Sequence, residues 1–285
     1  MSEFDPARYH FDMEKDLLGR GSYGSVYKAQ LKKSFFWSHP KTYPEFVAVK
    51  IIPENRSGYS DTELVLQDFV NFRHPNIVQY FKFLVKEEGI VSCHHIYMEY
   101  CDTDLSKVLK ERKARKQPLS VGELVHVTRS LAEGVQHLHS QGLIHRDIKP
   151  SNILLNIDNL ESELINIQLK LADFNISKLC DGSEGTLTIS MGTTQYRAPE
   201  VLKTHKNRYA KYGLPADIFS LGAVIFEAST LQNLVDDEQN IPANVQKKLD
   251  TMSGHIKDFL HDCLQEDPGN RMIIEDVLGH PILSL

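Results

Sequence analysis

The octapeptide His145-Arg146-Asp147-Ile148-Lys149-Pro150-Ser151-Asn152 constrains this chain more than any other stretch. It sets a carboxylate, an ammonium and a carboxamide close together, at Asp147, Lys149 and Asn152. A long helical pattern leads into it. Ser120 and Glu123 form the S-x-x-E of a capping box. Leu124, Val127, Leu131, Val135 and Leu138 then continue on one helical face, and Gly142 supplies a stop. Two short strand-like runs follow, Ile153–Leu155 and Ile167–Leu171, joined by an acidic insert (Asp158–Glu163) that reads as a solvated tip. A turn of this composition is either a structural corner with a surface salt bridge or a site. As a site it can accept a proton on Asp147 and hold a hard cation on the Asn152 oxygen. The rest of the chain has to decide between them.

The 285 residues suffice for a two-lobed enzyme or two small domains, and 41% hydrophobic with 25% charged residues can bury a sizeable core. A net charge of −6 argues against a general nucleic-acid footprint. The basic run Lys107–Lys116 reads as a solvated helix end and loop. Cys93, Cys101, Cys180 and Cys263 lie far apart without C-x-x-C spacing, as reduced thiols of an intracellular protein would. The stretch Met1–Pro6 has no apolar signal core, and no apolar run approaches a membrane span.

Upstream, Gly19, Gly21, Gly24 and Val26 spell G-x-G-x-x-G-x-V. Such glycines let backbone amides press close to phosphates. A dinucleotide-binding fold would need a helix after the last glycine, whereas Ser25–Leu31 alternates like a strand. Phe46–Ile52 is a second strand pattern with Lys50 in it, and a lysine there needs an anionic partner or a strand edge to snorkel from. The cluster Phe35-Phe36-Trp37, in a loop over 32–45, either packs on the fold or meets a partner. Ser60 to Glu63 is another capping box, opening a helix with Leu66, Phe69, Val70 and Phe72 on its apolar face. Residues 217–227 are apolar almost all round, which marks a buried helix.

Together the motifs resemble the eukaryotic-type serine/threonine protein kinase domain, in that family's order. H-R-D-x-K-x-x-N, G-x-G-x-x-G-x-V and Val47-Ala48-Val49-Lys50 resemble its catalytic loop, glycine-rich loop and lysine strand. His74–Val78, Asp173-Phe174-Asn175, Gly192–Glu200 and Asp217–Gly222 resemble further landmarks. The resemblance implies an α+β, two-lobed fold over residues 14–282. It has a small β-rich N-lobe (about 1–98), a hinge (99–101) and a mainly helical C-lobe (about 102–285), with ATP between the lobes. Asp147 would orient the substrate hydroxyl and Lys149 reach the transferred phosphate. Asn152 and Asp173 would bind Mg2+. Gly19, Gly21, Gly24, Val26, Ala48, Lys50, gatekeeper Met98, Glu99, Cys101 and Asp104 would bind the nucleotide, with Lys50 on its phosphates and Asp104 on its ribose. Asp217 would support the catalytic loop, and Arg271 would pair with Glu200.

Three positions depart from the family's pattern. Val65 stands where active members have the glutamate that pairs with the strand lysine, leaving Asp61, Glu63 and Asp68 as other acids for Lys50. Asn175 replaces the glycine of D-F-G, and Phe219 takes the place of a tryptophan. The expected activity is ATP-dependent phosphoryl transfer to Ser/Thr hydroxyls of protein substrates. Thr186, Thr188 and Ser190 are candidates for an upstream kinase, Thr188 first, with Arg146 as the phosphate's partner. The alternative is a pseudokinase, a nucleotide-binding scaffold with little transfer. The expected location is cytoplasmic, with the nucleus open.

Overall fold

The computed structural model describes residues 4–21, 24–33, 43–53, 72–88, 91–157, 159–173, 194–203, 213–234 and 241–285. The chain divides into two compact units, one of residues 1–74 with 78–101, the other of 75–77 with 102–285.

The first unit is a six-stranded antiparallel sheet of β1 (Tyr9–His10), β2 (Leu17–Arg20), β3 (Ser25–Leu31), β4 (Phe46–Pro53), β5 (Tyr80–Glu88) and β6 (Val91–Glu99). The order is β1-β3-β4-β6-β5, with β2 also on β3. Period-two alternation divides the side chains between two faces. Tyr27, Ala29, Leu31, Val47, Val49, Ile51, Cys93 and Tyr97 are buried in one cluster with Tyr9. The N-terminal segment seals that cluster: the Phe4 ring lies 5.3 Å from Tyr9 and 5.1 Å from Phe81, and the Tyr9 hydroxyl donates to the Pro44 carbonyl at 2.8 Å. Register fixes what the other face carries. Val26 pairs with Lys50 and Lys50 with Ile96, while Lys28 pairs with Ala48 and Ala48 with Met98.

The second unit is built on α1 (Leu105–Arg115), α2 (Val121–Ser140), α3 (Pro199–Lys203), α4 (Pro215–Thr230), α5 (Ile241–Leu249), α6 (Gly254–Cys263) and α7 (Ile274–Gly279). A small antiparallel sheet joins them: β7 (Thr103–Asp104), β8 (Ile153–Leu155) and β9 (Leu169–Leu171), paired in that order. The apolar helix read over 217–227 is α4, with 12 of its 16 residues buried, so it is the axle of this unit. A Cβ on Gly222 would stand 2.7 Å from the Cys263 Cβ, so the missing side chain sets how closely α6 approaches. Helix α2 has the expected capping box, and Leu124, Val127, Leu131, Val135 and Leu138 are all buried. It ends two residues before Gly142, whose φ of +70° turns the chain toward His145.

The basic run on α1 is only partly solvated. Lys107 and Arg115 are exposed as expected, but the Arg112 side chain is 12% exposed and donates to Glu123 Oε1 at 2.6 Å and to the Ser162 carbonyl at 3.2 Å. Glu123 therefore does more than cap α2: the same oxygen accepts the Leu164 N–H at 3.1 Å, which docks the acidic insert. No local pattern encodes this pair, because Arg112 and Glu123 lie on different helices. The readings of Phe35–Trp37, Val65 and its neighbouring acids, Phe174, Asn175, Thr186, Thr188 and Ser190 lie outside the described residues.

Candidate active site

In the second unit a hydrogen-bond network fixes the loop after α2. Asp217, in the first turn of α4, is fully buried. Its Oδ2 accepts the His145 N–H at 2.8 Å and the His139 Nε2–H at 3.0 Å, and its Oδ1 accepts the Arg146 N–H at 2.9 Å. Burial alone would raise the carboxyl pKa. The hydrogen bond and charge of His139, with His145 and the Arg146 amide, outweigh it and hold Asp217 below the usual carboxylate range. This clamp holds Arg146 at φ 68°, a left-handed conformation that costs a non-glycine residue about 1 kcal/mol.

His145 is buried as well, and its two ring nitrogens are both used. Nε2 donates to the Ala172 carbonyl at 3.1 Å, and Nδ1 accepts the Asp147 N–H at 3.3 Å. Only the neutral imidazole with its proton on Nε2 makes both bonds. Burial lowers its pKa in the same sense, against the pull of Asp217, Asp147 and Asp173.

These contacts present Asp147. Its Oδ2 accepts from Lys149 Nζ at 2.7 Å and from Asn152 Nδ2 at 3.0 Å, and Asn152 Nδ2 also donates to the Asp147 carbonyl at 2.8 Å. The carboxamide is oriented by that pair, so its oxygen, the acceptor end, is turned away from Asp147. The Ala172 N–H donates to the Asn152 carbonyl at 2.9 Å, continuing the β8–β9 ladder and bringing Asp173 alongside, at φ 59°. The four residues named from the sequence, Asp147, Lys149, Asn152 and Asp173, thus share one corner. Two oxygen donors, one amide and one carboxylate, suit a magnesium ion that takes its other ligands from water and phosphates. Among the described residues no cluster of three or more His, Cys, Asp or Glu could hold a metal by itself.

Asp104 is engaged as a cap. Its Oδ1 accepts the Lys107 N–H at 3.2 Å and also bonds the Ser106 hydroxyl, and its Oδ2 pairs with Lys107 Nζ at 3.2 Å. Any ribose contact would share that carboxylate. Beyond the loop, Arg271 makes the expected pair with Glu200, in bidentate form at 2.8 and 3.0 Å, and also donates to the Pro215 and Gln265 carbonyls. Sequence reasoning missed His139, Arg112 and Glu227. The last accepts the Tyr196 hydroxyl at 2.5 Å, and burial raises its carboxyl pKa.

In the first unit, Val26, Ala48, Lys50 and Met98 share one sheet face through the register above. β2 and β3 pair antiparallel, as expected of the glycine-rich stretch, and the Gly21 N–H donates to the Gly24 carbonyl at 2.8 Å. A Cβ on Gly24 would lie 2.1 Å from the Ile51 oxygen, so no other residue fits without moving β4. Gly19 pairs with Val26, and nothing lies within 4 Å of where its Cβ would be. The Glu99 N–H donates to the Gln79 carbonyl at 2.8 Å, so an adenine would have to use other backbone groups of residues 99–101. The Cys101 side chain is half-buried.

Residues 13–283 match the family described as protein kinase domain. The chain is 31% identical over 278 residues to the serine/threonine-protein kinase dst2 of Dictyostelium discoideum, covering 94% of this chain and 22% of that protein. It is 32% identical over 274 residues to the cytokinesis protein sepH of Aspergillus terreus (93% and 18%). With the mitogen-activated protein kinase kinase kinase 15 of Mus musculus it shares 30% over 296 residues (98% and 20%). The chain therefore spans about a fifth of the length of these curated relatives. A carboxylate, lysine and carboxamide held on an aspartate-anchored loop in one unit, and an antiparallel sheet in the other, agree with that match, and the chain belongs to the protein kinase domain family, with its two-lobed α+β fold.

Proposed function

We propose that this chain transfers the γ-phosphoryl group of ATP to serine or threonine hydroxyls of protein substrates. The observation that carries this reading is Asp147, held between the Lys149 ammonium and the Asn152 amide on a loop clamped by Asp217. The substrate oxygen forms a bond to the γ-phosphorus, the bond from that phosphorus to the β–γ bridging oxygen breaks, and ADP leaves. The hydroxyl proton passes to Asp147. Lys149 offsets charge on the transferred group. The Asn152 oxygen and Asp173 would hold Mg2+, which when bound neutralises phosphate charge. Lys50 and the amides around Gly19, Gly21 and Gly24 would take the phosphates, Val26, Ala48 and Met98 the purine faces, the backbone at Glu99 and Cys101 its edge, and Asp104 the ribose. Catalysis on this plan is positioning and electrostatic stabilisation.

The proposal includes a catalytic domain over 14–282, with an N-lobe about 1–98, a hinge 99–101 and a C-lobe about 102–285. It includes control by an upstream kinase at Thr188 or its neighbours, and a cytoplasmic location with the nucleus as alternative. Among the described residues no helix is long and apolar enough to cross a membrane. Val65 and Asn175 favour one second reading, a scaffold that binds nucleotide and transfers little. Transfer from labelled ATP with magnesium, to the chain itself and to a generic Ser/Thr substrate, separates the two. Transfer abolished in Asp147→Asn supports the enzyme. Magnesium-dependent ATP binding without transfer, after treatment with candidate activating kinases, supports the scaffold.

A further inference from the structure

Lys28 is a cation to which the proposed reaction gives no role, although it stands on the sheet face proposed for the nucleotide. It pairs across the ladder with Ala48, which in turn pairs with Met98. Its Nζ lies 4.0 Å from the Phe46 ring centroid and 4.2 Å from that of Tyr100. The two rings are 6.1 Å apart and inclined by 55°, so the ammonium fills the wedge between them. Both ring faces attract it, and partial burial strengthens the attraction.

The place of Tyr100 gives the wedge its meaning. β6 ends at Glu99, whose last ladder partner is Val47. Glu99 is fixed on its other side by Gln79, through the backbone bond above and through its carboxylate, which accepts the Gln79 N–H at 3.2 Å. Tyr100 and Cys101 lie beyond the ladder. A backbone that meets a purine there must be ordered before binding or lose entropy on binding. The Tyr100 ring, clasped with Phe46 around Lys28, orders it beforehand.

We infer that Lys28 is a positioning residue for the nucleotide: wedged between Phe46 and Tyr100, it holds residues 99–101 against the sheet face that carries Ala48 and Met98. The role rests on the nucleotide reading proposed above. The test uses the full chain and two readouts, MgATP affinity and amide hydrogen exchange across residues 99–101 without nucleotide. Lys28→Leu weakens MgATP about fivefold, which appears in KM for ATP and leaves kcat nearly unchanged. The same variant exchanges faster at Tyr100 and Cys101. Lys28→Arg and Tyr100→Phe keep a cation and a ring and bind within about twofold of the wild type. Tyr100→Leu reproduces the loss and serves if Lys28→Leu fails to fold. Wild-type affinity in Lys28→Leu overturns the role, and a lowered melting temperature with that affinity makes Lys28 a stabilising residue only. A wild-type chain that binds no MgATP overturns the nucleotide reading and the role with it, and exchange then tells whether the wedge itself is intact.

Discussion

Asp217→Asn tests the clamp most directly, because it keeps the shape and removes one acceptor and the charge. The carboxylate now serves three donors, two on Oδ2 and one on Oδ1. The carboxamide fits best with its oxygen toward His139 and the His145 N–H, which sets its NH2 against the Arg146 N–H. One charge-assisted hydrogen bond is lost, at about 1.5–3 kcal/mol, and a buried donor is left facing a donor, at about 1–3 kcal/mol. The expected loss of stability is about 3–5 kcal/mol, since the site is fully buried and water does not replace the acceptor. For a chain of this size that lowers Tm by roughly 6–15 °C. Thermal melts give the first number, and hydrogen exchange at the His145 and Arg146 amides localises it. A folded Asp217→Asn protein with a loss below about 1 kcal/mol and unchanged exchange at those amides would refute the reasoning.

Other outcomes follow from the same structure. Arg271→Leu leaves Glu200 without its bidentate partner and removes the guanidinium bonds to the Pro215 and Gln265 carbonyls, and should cost about 3–5 kcal/mol in urea unfolding. Gly222→Ala drives a methyl to 2.7 Å from the Cys263 Cβ, for a loss of about 1–3 kcal/mol in the same assay. His145 gives a pH signature. Its folded pKa is depressed below the ordinary histidine value of 6.5, so below that pH the unfolded chain binds a proton that the folded one refuses. Its share of stability is full above pH 6.5 and falls as pH drops toward the folded pKa, by at most about 1.4 kcal/mol per pH unit. Unfolding measured from pH 8 to 5.5 should show this slope, and His145→Phe should lack it.

Elements set by neighbours in sequence were legible in advance. The Ser120–Glu123 box, the buried stripe of α2, the strand after Gly24 and the spacing of Asp147, Lys149 and Asn152 are local patterns, and each is present in the fold. The pairings of Asp217 with the loop and of Arg271 with Glu200 were expected only from family resemblance, since no local pattern encodes them. His139 was missed altogether: it lies 78 residues from Asp217, and its sequence neighbourhood reads as an ordinary helix end. Arg112 reads as solvated in the sequence, because a run of basic residues does not disclose that one of them turns inward onto Glu123.

The sequence by itself determined the order of the elements, the helix cap, the glycine turn and the close grouping of the catalytic-loop side chains. Those features depend on φ/ψ preferences and spacings of a few residues. Tertiary structure alone decided the single sheet face shared by Val26, Ala48, Lys50 and Met98, the capping duty of Asp104, the neutral tautomer of His145 and the wedge of Lys28. Strand register and burial bring together groups far apart in the chain, and packing selects the partners of a buried charge after the chain has closed on itself.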